Sequence, residues 1–158
     1  MVEWKILYLA RDFIGVKPLY YSLKNNNFVF ASEAKAIINN VSDKTINKKA
    51  INEFLFYKYI SGKDTLVKNV YKFDPGKVYS IDLKKKHIKL KSFTYYQFKE
   101  LNKKYDIKET IHNTKLLLTK SVNLQLQSDA NLGIQLSGGV DSTLITEIAN
   151  AIKKIKFL

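Results

Sequence analysis

The chain has 158 residues, of which 46% are hydrophobic and 26% are charged, a balance typical of globular proteins rather than disordered ones. It contains no cysteine, so these residues offer no disulfide, cysteine zinc site, iron–sulfur cluster or cysteine nucleophile. No apolar run approaches the roughly 18 residues that cross a bilayer. The start, Met-Val-Glu, is also unlike a secretory signal. We therefore expect no membrane partner and a cytoplasmic location.

The net charge of +13 raises the question of nucleic-acid binding. The basic residues are nearly all lysine, and Arg11 is the one arginine of the sequence. Base-specific readers rely on arginine to contact guanine, and the lysines here are dispersed along the chain. We expect a solvated lysine-rich surface and no nucleic-acid partner, with a basic nucleic-acid binder as the alternative.

Hydrophobic patterning predicts an aromatic-rich β region at the start of the chain. A polar turn at residues 24–27 separates two strands of a hairpin, and Ser32 is the expected cap of a short helix. The predicted elements are a strand at Lys5–Ala10, strands at Leu19–Tyr21 and Phe28–Ala31, and a helix at Glu33–Ile38.

A second helix is predicted at Asn47–Tyr59, with Gly62 ending it. Asp74-Pro75-Gly76 is a turn, because proline fixes φ and glycine tolerates positive φ. Two alternating strands, Val78–Leu83 and His87–Phe93, flank a lysine-rich turn.

Helical spacing returns in the last third of the chain. Residues 107–127 are predicted to form a long helix whose apolar face carries Ile107, Ile111, Leu118 and Val122. A polar break at 128–131 precedes a short strand at Leu132–Leu136. A second amphipathic helix follows residues 137–142, and no closing element is predicted after it.

The segment Ser137-Gly138-Gly139-Val140-Asp141-Ser142 joins that strand to that helix. Glycines let the backbone turn sharply and approach an anion, and amides at a helix start point at a phosphate. Ser137 and Ser142 add hydroxyl donors. Asp141 would repel bare phosphate, so its expected role is to hold Mg²⁺ that bridges to phosphates. The alternative is a Gly-Gly turn that merely joins strand to helix.

This segment resembles the pyrophosphate-binding loop of the ATP pyrophosphatase superfamily. Three earlier segments resemble, in order, the late part of the glutaminase domain of glutamine-hydrolysing asparagine synthetases; they are Ala10–Tyr21, Phe30–Ala36 and Lys72–Gly76. Ser128-Asp129 also lies where that family places such a pair. The chain is therefore similar to the asparagine synthetase family from the end of one domain into the next.

The resemblance implies an α+β and α/β fold. Residues 1–100 would be the C-terminal part of a class II glutamine amidotransferase-like domain, with an Ntn-type antiparallel β layer and a connecting hairpin. Residues 101–158 would begin a parallel-sheet ATP-pyrophosphatase domain, resembling adenine nucleotide α-hydrolases, with its first strand-loop-helix unit. Adenine would meet the backbone at Ile134–Leu136. Arg11 and Asp12 would form a structural ion pair that is buried or faces the other domain; the alternative is an ordinary surface pair.

The implied reaction converts aspartate, glutamine and ATP to asparagine, glutamate, AMP and pyrophosphate, with ammonia passing between domains and with ATP and Mg²⁺ as cofactors. Asp141 would be the Mg²⁺ ligand. The implied ATP- and pyrophosphate-binding residues are Leu136, Ser137, Gly138, Gly139, Val140, Asp141 and Ser142.

Two departures from the family limit these expectations. The family's catalytic cysteine, which follows its initiator methionine, is absent, so we expect no catalytic residue and no glutamine hydrolysis here. The aspartate-binding residues would lie beyond the chain, so we expect an incomplete, poorly soluble protein that forms homo-oligomers or associates with missing segments. Alternatives are an amidotransferase for another carboxylate or a sugar-linked acid, or a non-catalytic remnant that binds nucleotide or a partner. His87 and His112 are assigned surface or packing roles.

Overall fold

A computed structural model describes residues 5–41, 44–99 and 106–153, together with the backbone of 156–157. The chain divides into two compact units, residues 1–99 and 100–158. The domain boundary expected at residues 100–101 lies outside the described residues. No helix in the described part of the chain has the length and apolar character needed to cross a bilayer.

The first unit contains two three-stranded antiparallel sheets. Their strands are β1 (Ile6–Ala10), β2 (Tyr20–Lys24), β3 (Asn27–Ala31), β4 (Tyr71–Lys72), β5 (Lys77–Asp82) and β6 (Lys91–Thr94). One sheet has the strand order β1-β5-β6 and the other β3-β2-β4. The expected α+β class with an antiparallel β layer is confirmed for this unit, and it is consistent with an Ntn-type glutaminase domain.

A tight turn joins β2 to β3. Asn25 and Asn26 both have positive φ, 50° and 63°, as a two-residue hairpin turn requires. The Asn26 side chain also donates to the Lys86 carbonyl at 2.7 Å and accepts from the Ile88 amide at 2.6 Å. These bonds hold residues 86–88 at the hairpin tip, so β6 begins at Lys91 rather than at the predicted His87.

The first unit also contains the helices α1 (Ala34–Asn40) and α2 (Lys48–Tyr57), of which α1 packs against β2 and β3. The predicted cap of α1 is wrong: Glu33, not Ser32, is the N-cap residue, and no side chain caps the helix. Asn47 caps α2 by accepting from the Ala50 amide at 3.3 Å. This helix ends before Gly62, because Lys58 adopts the left-handed conformation with φ 63°. The Lys58 amide donates a hydrogen bond to the Phe54 carbonyl.

The core of the first unit is centred on Phe73, which is 0% exposed. The centroid of its ring lies 4.5 Å from that of the Tyr21 ring and 4.6 Å from that of the Tyr79 ring. Burial is the main cause that raises the pKa of the Tyr21 and Tyr79 hydroxyls from the usual 10 to about 12.

The second unit contains two helices and one short parallel strand pair. Its elements are α3 (Ile107–Gln125), β7 (Gly133–Ile134), α4 (Val140–Ile152) and β8 (Lys156–Phe157). β8 pairs in parallel with β7, so the expectation of no element after α4 is wrong. A two-residue strand formed by long-range pairing leaves almost no local pattern.

Only half of the predicted apolar face of α3 is covered. Val122 is buried with Ala149, and the residues packed against this pair all lie between 126 and 148. Val122 lies in the last turn of α3 and Leu126 is its C-cap residue, so the packed cluster involves the C-terminal part of α3. Ile107 and Ile111 remain 74% and 65% exposed.

Replacing Phe73 by alanine should lower the free energy of unfolding of the first unit by about 3–5 kcal/mol, because it empties a fully packed site. The matched change Phe56→Ala removes a ring that is 80% exposed and should cost about 0.5 kcal/mol or less. Urea unfolding followed by tyrosine fluorescence measures both; equal losses would contradict this account of the core.

Candidate functional site

The loop between β7 and α4 turns at Gly138, where φ is +78°. This left-handed conformation strains any residue with a Cβ atom, although a Cβ there would meet open space. Gly139 follows as the N-cap residue of α4, and no side chain caps the helix. The first amides of α4 therefore lie at an exposed helix start, where the helix dipole favours an anion.

Hydroxyl groups fix the shape of this loop. The Ser137 and Ser142 hydroxyl oxygens are 2.9 Å apart, and Ser142 also donates to the Gly139 carbonyl at 3.0 Å. Thr143 donates to the same carbonyl at 2.9 Å. A Cβ added to Gly139 would lie 3.6 Å from the Ser137 hydroxyl, within ordinary contact distance. The loop is thus held in shape by hydrogen bonds among its own residues.

A threonine beyond the motif supports the same turn. Thr146 is 7% exposed, and its hydroxyl donates to the Ser142 carbonyl at 2.6 Å. Sequence analysis did not single out this residue. The only signal for it is a threonine four positions after Ser142 in a predicted helix, which is common and not diagnostic.

The structure brings Ser137, Gly138, Gly139 and Ser142 together at the helix start. Asp141 lies in the first turn of α4 and is exposed. Within the described residues its carboxylate has no hydrogen bond or ion pair in the protein, and no group of three or more candidate ligands surrounds it. Asp141 could therefore contribute one carboxylate to a metal ion whose other ligands came from a bound molecule.

The apolar members of the predicted set differ in their surroundings. Leu136 and Val140 are 49% and 83% exposed, whereas Ile134 packs against the buried pair Val122 and Ala149. The strand end that precedes the loop is thus anchored by packing, while the loop itself is open to solvent.

A second polar loop, residues 11–18, is organised by Arg11. Its guanidinium group donates to three carbonyl oxygens, those of Phe73 at 2.7 Å, Gly15 at 2.8 Å and Lys17 at 3.0 Å. The expected ion pair between Arg11 and Asp12 is wrong, because each side chain bonds to backbone instead. The expected structural role of the loop agrees with this geometry.

Asp12 completes the loop from the acceptor side. Its carboxylate accepts from the amides of Gly15 at 2.6 Å, Val16 at 2.9 Å and Lys17 at 3.0 Å. The bonds from Val16 and Lys17 are the largest causes that hold the pKa of Asp12 below its usual 3.8.

The turn at Asp74–Gly76 carries a network that the sequence did not reveal. The Asp74 carboxylate accepts from the Lys77 ammonium at 2.8 Å and from the Tyr79 hydroxyl at 2.9 Å. Partial burial raises the pKa of Asp74, but the hydrogen bonds from Lys77 and Tyr79, together with the charges of Lys77 and Lys63, lower the pKa overall. Gly76 is required here, since a Cβ would lie 2.6 Å from the Tyr96 carbonyl oxygen.

The histidines lie apart from these loops. His87 and His112 are both exposed. Neither belongs to a group of three or more potential metal ligands in the part of the chain that the structure describes.

Comparison with known proteins identifies the class to which these units belong. Residues 2–96, more than half of the chain, match the model of the glutamine amidotransferase domain, and residues 113–157 match the model named asparagine synthase. The chain therefore belongs to the glutamine amidotransferase domain family.

Curated relatives make the assignment more specific. An asparagine synthetase [glutamine-hydrolyzing] of Bacillus subtilis is 33% identical over 91% of this chain, and a putative one of Methanocaldococcus jannaschii is 32% identical over 90%. The human asparagine synthetase [glutamine-hydrolyzing] is 29% identical over 96%. The aligned part covers 22%, 28% and 26% of these relatives, so the chain spans roughly a quarter of their length.

The Asp12→Asn change should lower the melting temperature of the first unit at pH 7, because an NH₂ group replaces the acceptor of the Lys17 amide. The folded-state pKa is depressed, so this stabilisation is present above the unfolded value of 3.8 and is lost as pH falls through the folded value. Circular dichroism melts at pH 7 and near pH 2 measure the difference.

The control is Glu33→Gln, since the Glu33 side chain is exposed and does not cap α1. It should leave the melting temperature unchanged at pH 7. If Asp12→Asn melts with the wild-type chain at pH 7, the carboxylate does not hold the loop.

Proposed function

We propose that residues 136–142 bind the triphosphate of ATP in an asparagine synthetase-like amidotransferase. The observation that carries this proposal is the joint presence, at the start of α4, of the left-handed Gly138, an uncapped helix N-terminus and the hydroxyls of Ser137 and Ser142. The match of residues 113–157 to the asparagine synthase model supports it.

Different groups of the loop would bind the phosphates and the adenine of ATP. The amides at the start of α4 and the hydroxyls of Ser137 and Ser142 would bind the β- and γ-phosphates, which leave together as pyrophosphate. The Ser137 and Ser142 hydroxyls, which lie 2.9 Å apart, would turn their hydrogens towards these oxygens. The backbone of Ile134–Leu136, anchored beneath the loop, would meet adenine.

Mg²⁺ fits the donor set at Asp141. This ion prefers one or two carboxylates together with phosphate oxygens, and Asp141 is an exposed carboxylate in the first turn of α4. When bound, Mg²⁺ would supply positive charge that neutralises the phosphates. Asp141 would hold it beside the loop.

The reaction proposed for the complete enzyme consumes aspartate, glutamine and ATP and yields asparagine, glutamate, AMP and pyrophosphate. The relatives named above, as asparagine synthetases [glutamine-hydrolyzing], support this choice. Because the 158 residues contain no cysteine, we propose that they do not hydrolyse glutamine by a cysteine nucleophile. Residues 1–100 would form the late part of the amidotransferase domain and residues 101–158 would begin an ATP-pyrophosphatase domain.

A non-catalytic role in nucleotide or partner binding is the second candidate. The exposed apolar residues of α3 favour association with further segments or with a second copy of the chain. These are Ile107, Ile111, Leu116, Leu117 and Leu124.

Titration of the chain with Mg-ATP should shift the amide signals of residues 137–142 in ¹H–¹⁵N NMR spectra. Gly138→Val should weaken binding about tenfold or more, because a β-branched residue resists positive φ. Gly62 also has positive φ and open space around it, so Gly62→Val is the matched control and should bind as the wild type does. Equal affinities of the Gly138 and Gly62 variants would refute the loop assignment.

Asp141→Asn separates the metal from the phosphates in the same titration. It should reduce the gain in ATP affinity that Mg²⁺ provides, while affinity for ATP in EDTA stays unchanged or rises because a negative charge is removed. An undiminished Mg²⁺ effect in this variant would exclude Asp141 as a ligand.

A further inference from the structure

A cavity of about 440 Å³ lies in the first unit, far along the chain from the nucleotide loop. Its walls come from α1, α2, the sheet formed by β2 and β4, and residues 59–67. This volume lies within the range of small-molecule sites, which are mostly apolar with a few placed polar groups. Its apolar walls include Tyr20, Ala34, Ile38, Phe54, Ile60 and Leu66.

Lys72 provides a fixed positive charge in this cavity. It lies directly opposite Tyr20 in the β2–β4 register, so both side chains leave the same face of the sheet. Its ammonium group donates to the Ile60 carbonyl at 2.6 Å, which holds the group in place. An ammonium group has three donors, and Ile60 accepts from one of them.

The charge of Lys72 is only partly compensated. Burial lowers its pKa, the charge of Arg11 lowers it further, and Glu53 and Asp64 act in the opposite direction. Within the described residues no carboxylate forms an ion pair with Lys72. An anion placed against this ammonium would therefore gain a charge-assisted hydrogen bond in a partly desolvated setting.

The other polar groups of the cavity limit the charge that a ligand can carry. The Thr65 hydroxyl is engaged by Val67 and Val70, with oxygen–oxygen distances of 2.9 and 2.8 Å to their carbonyls. Asp64 also lines the cavity, and its repulsion of a ligand increases with each negative charge that the ligand carries. A ligand with one anionic group at Lys72 and an apolar body fits this arrangement better than a multiply charged one.

We propose that this cavity binds a small monocarboxylate with an apolar body, whose carboxylate pairs with Lys72. The ligand class differs from the ATP and amino-acid substrates of the proposed function, and the site does not depend on that function. Occupancy would link α1 and α2 to the sheet at Tyr20 and Lys72, and so would stabilise the first unit.

The test uses the 158-residue chain and three probes of one shape, 3-phenylpropionate, 3-phenylpropan-1-ol and 3-phenylpropylamine, in ¹H–¹⁵N NMR titrations. The carboxylate should give saturable shifts at residues lining the cavity, with an affinity about tenfold or more above that of the alcohol. The amine should bind no better than the alcohol.

Two lysine variants test whether the carboxylate of 3-phenylpropionate binds at Lys72. Lys72→Met keeps the apolar stem and should reduce 3-phenylpropionate affinity about tenfold to that of the alcohol. Lys68 is exposed and outside the cavity lining, so Lys68→Met should bind as the wild type does. Absence of saturable shifts, equal losses in both variants, or tightest binding of the amine would overturn the proposal. If Lys72→Met fails to fold, the ranking of the three probes on the wild-type chain decides.

Discussion

The first unit depends on the three hydrogen bonds that the Arg11 guanidinium group donates to backbone carbonyls. It joins the loop of residues 11–18 to the Phe73 carbonyl, and Phe73 is the centre of the buried aromatic cluster. Backbone carbonyls outside strands and helices need partners when they are shielded from water, and a guanidinium group serves several at once. Lysine at this position would offer a single charged nitrogen and could not reproduce the geometry.

The loop of residues 11–18 and the loop of residues 137–142 differ in how their backbone amides are hydrogen-bonded. In the loop of residues 11–18, the Asp12 carboxylate accepts hydrogen bonds from three backbone amides. At the start of α4 no side chain caps the helix, and Ser137 and Ser142 bond mainly to each other and to Gly139. A loop that completes its own hydrogen bonding is a structural joint, whereas one that leaves amides open is suited to an anion.

Local patterns were enough to predict the strands β1, β2, β3 and β5, the helices α2, α3 and α4, and the turn at Asp74–Gly76. The errors at β6 and β8 arose where distant groups decide the outcome. Asn26 delays β6 by bonding to Lys86 and Ile88, and β8 exists only by pairing with β7. The six-residue motif singled out the loop before α4, because glycines, hydroxyls and a following apolar period are all local features.

The same distinction separates the two candidate sites. Residues 137–142 are contiguous, so their chemistry could be recognised in the sequence alone. The cavity beside Lys72 draws on residues from 20 to 72, and its defining hydrogen bond joins Lys72 to Ile60. No spacing rule links these positions, and only the folded chain brings them together.

The segment that follows β6 has a consequence for where this polypeptide tolerates a break. The Tyr95 hydroxyl donates to the Arg11 carbonyl at 2.9 Å, the Tyr95 and Tyr96 amides donate to Gly76, and the Tyr96 ring lies 4.6 Å from that of Phe13. Residues 95–98, called the strap below, thus hold the end of the first unit against residues 11–13 near its beginning. A gene fission or a protease cut directly after Thr94 would strip this strap from the unit, whereas a cut beyond Phe98 would leave it with the half that it secures.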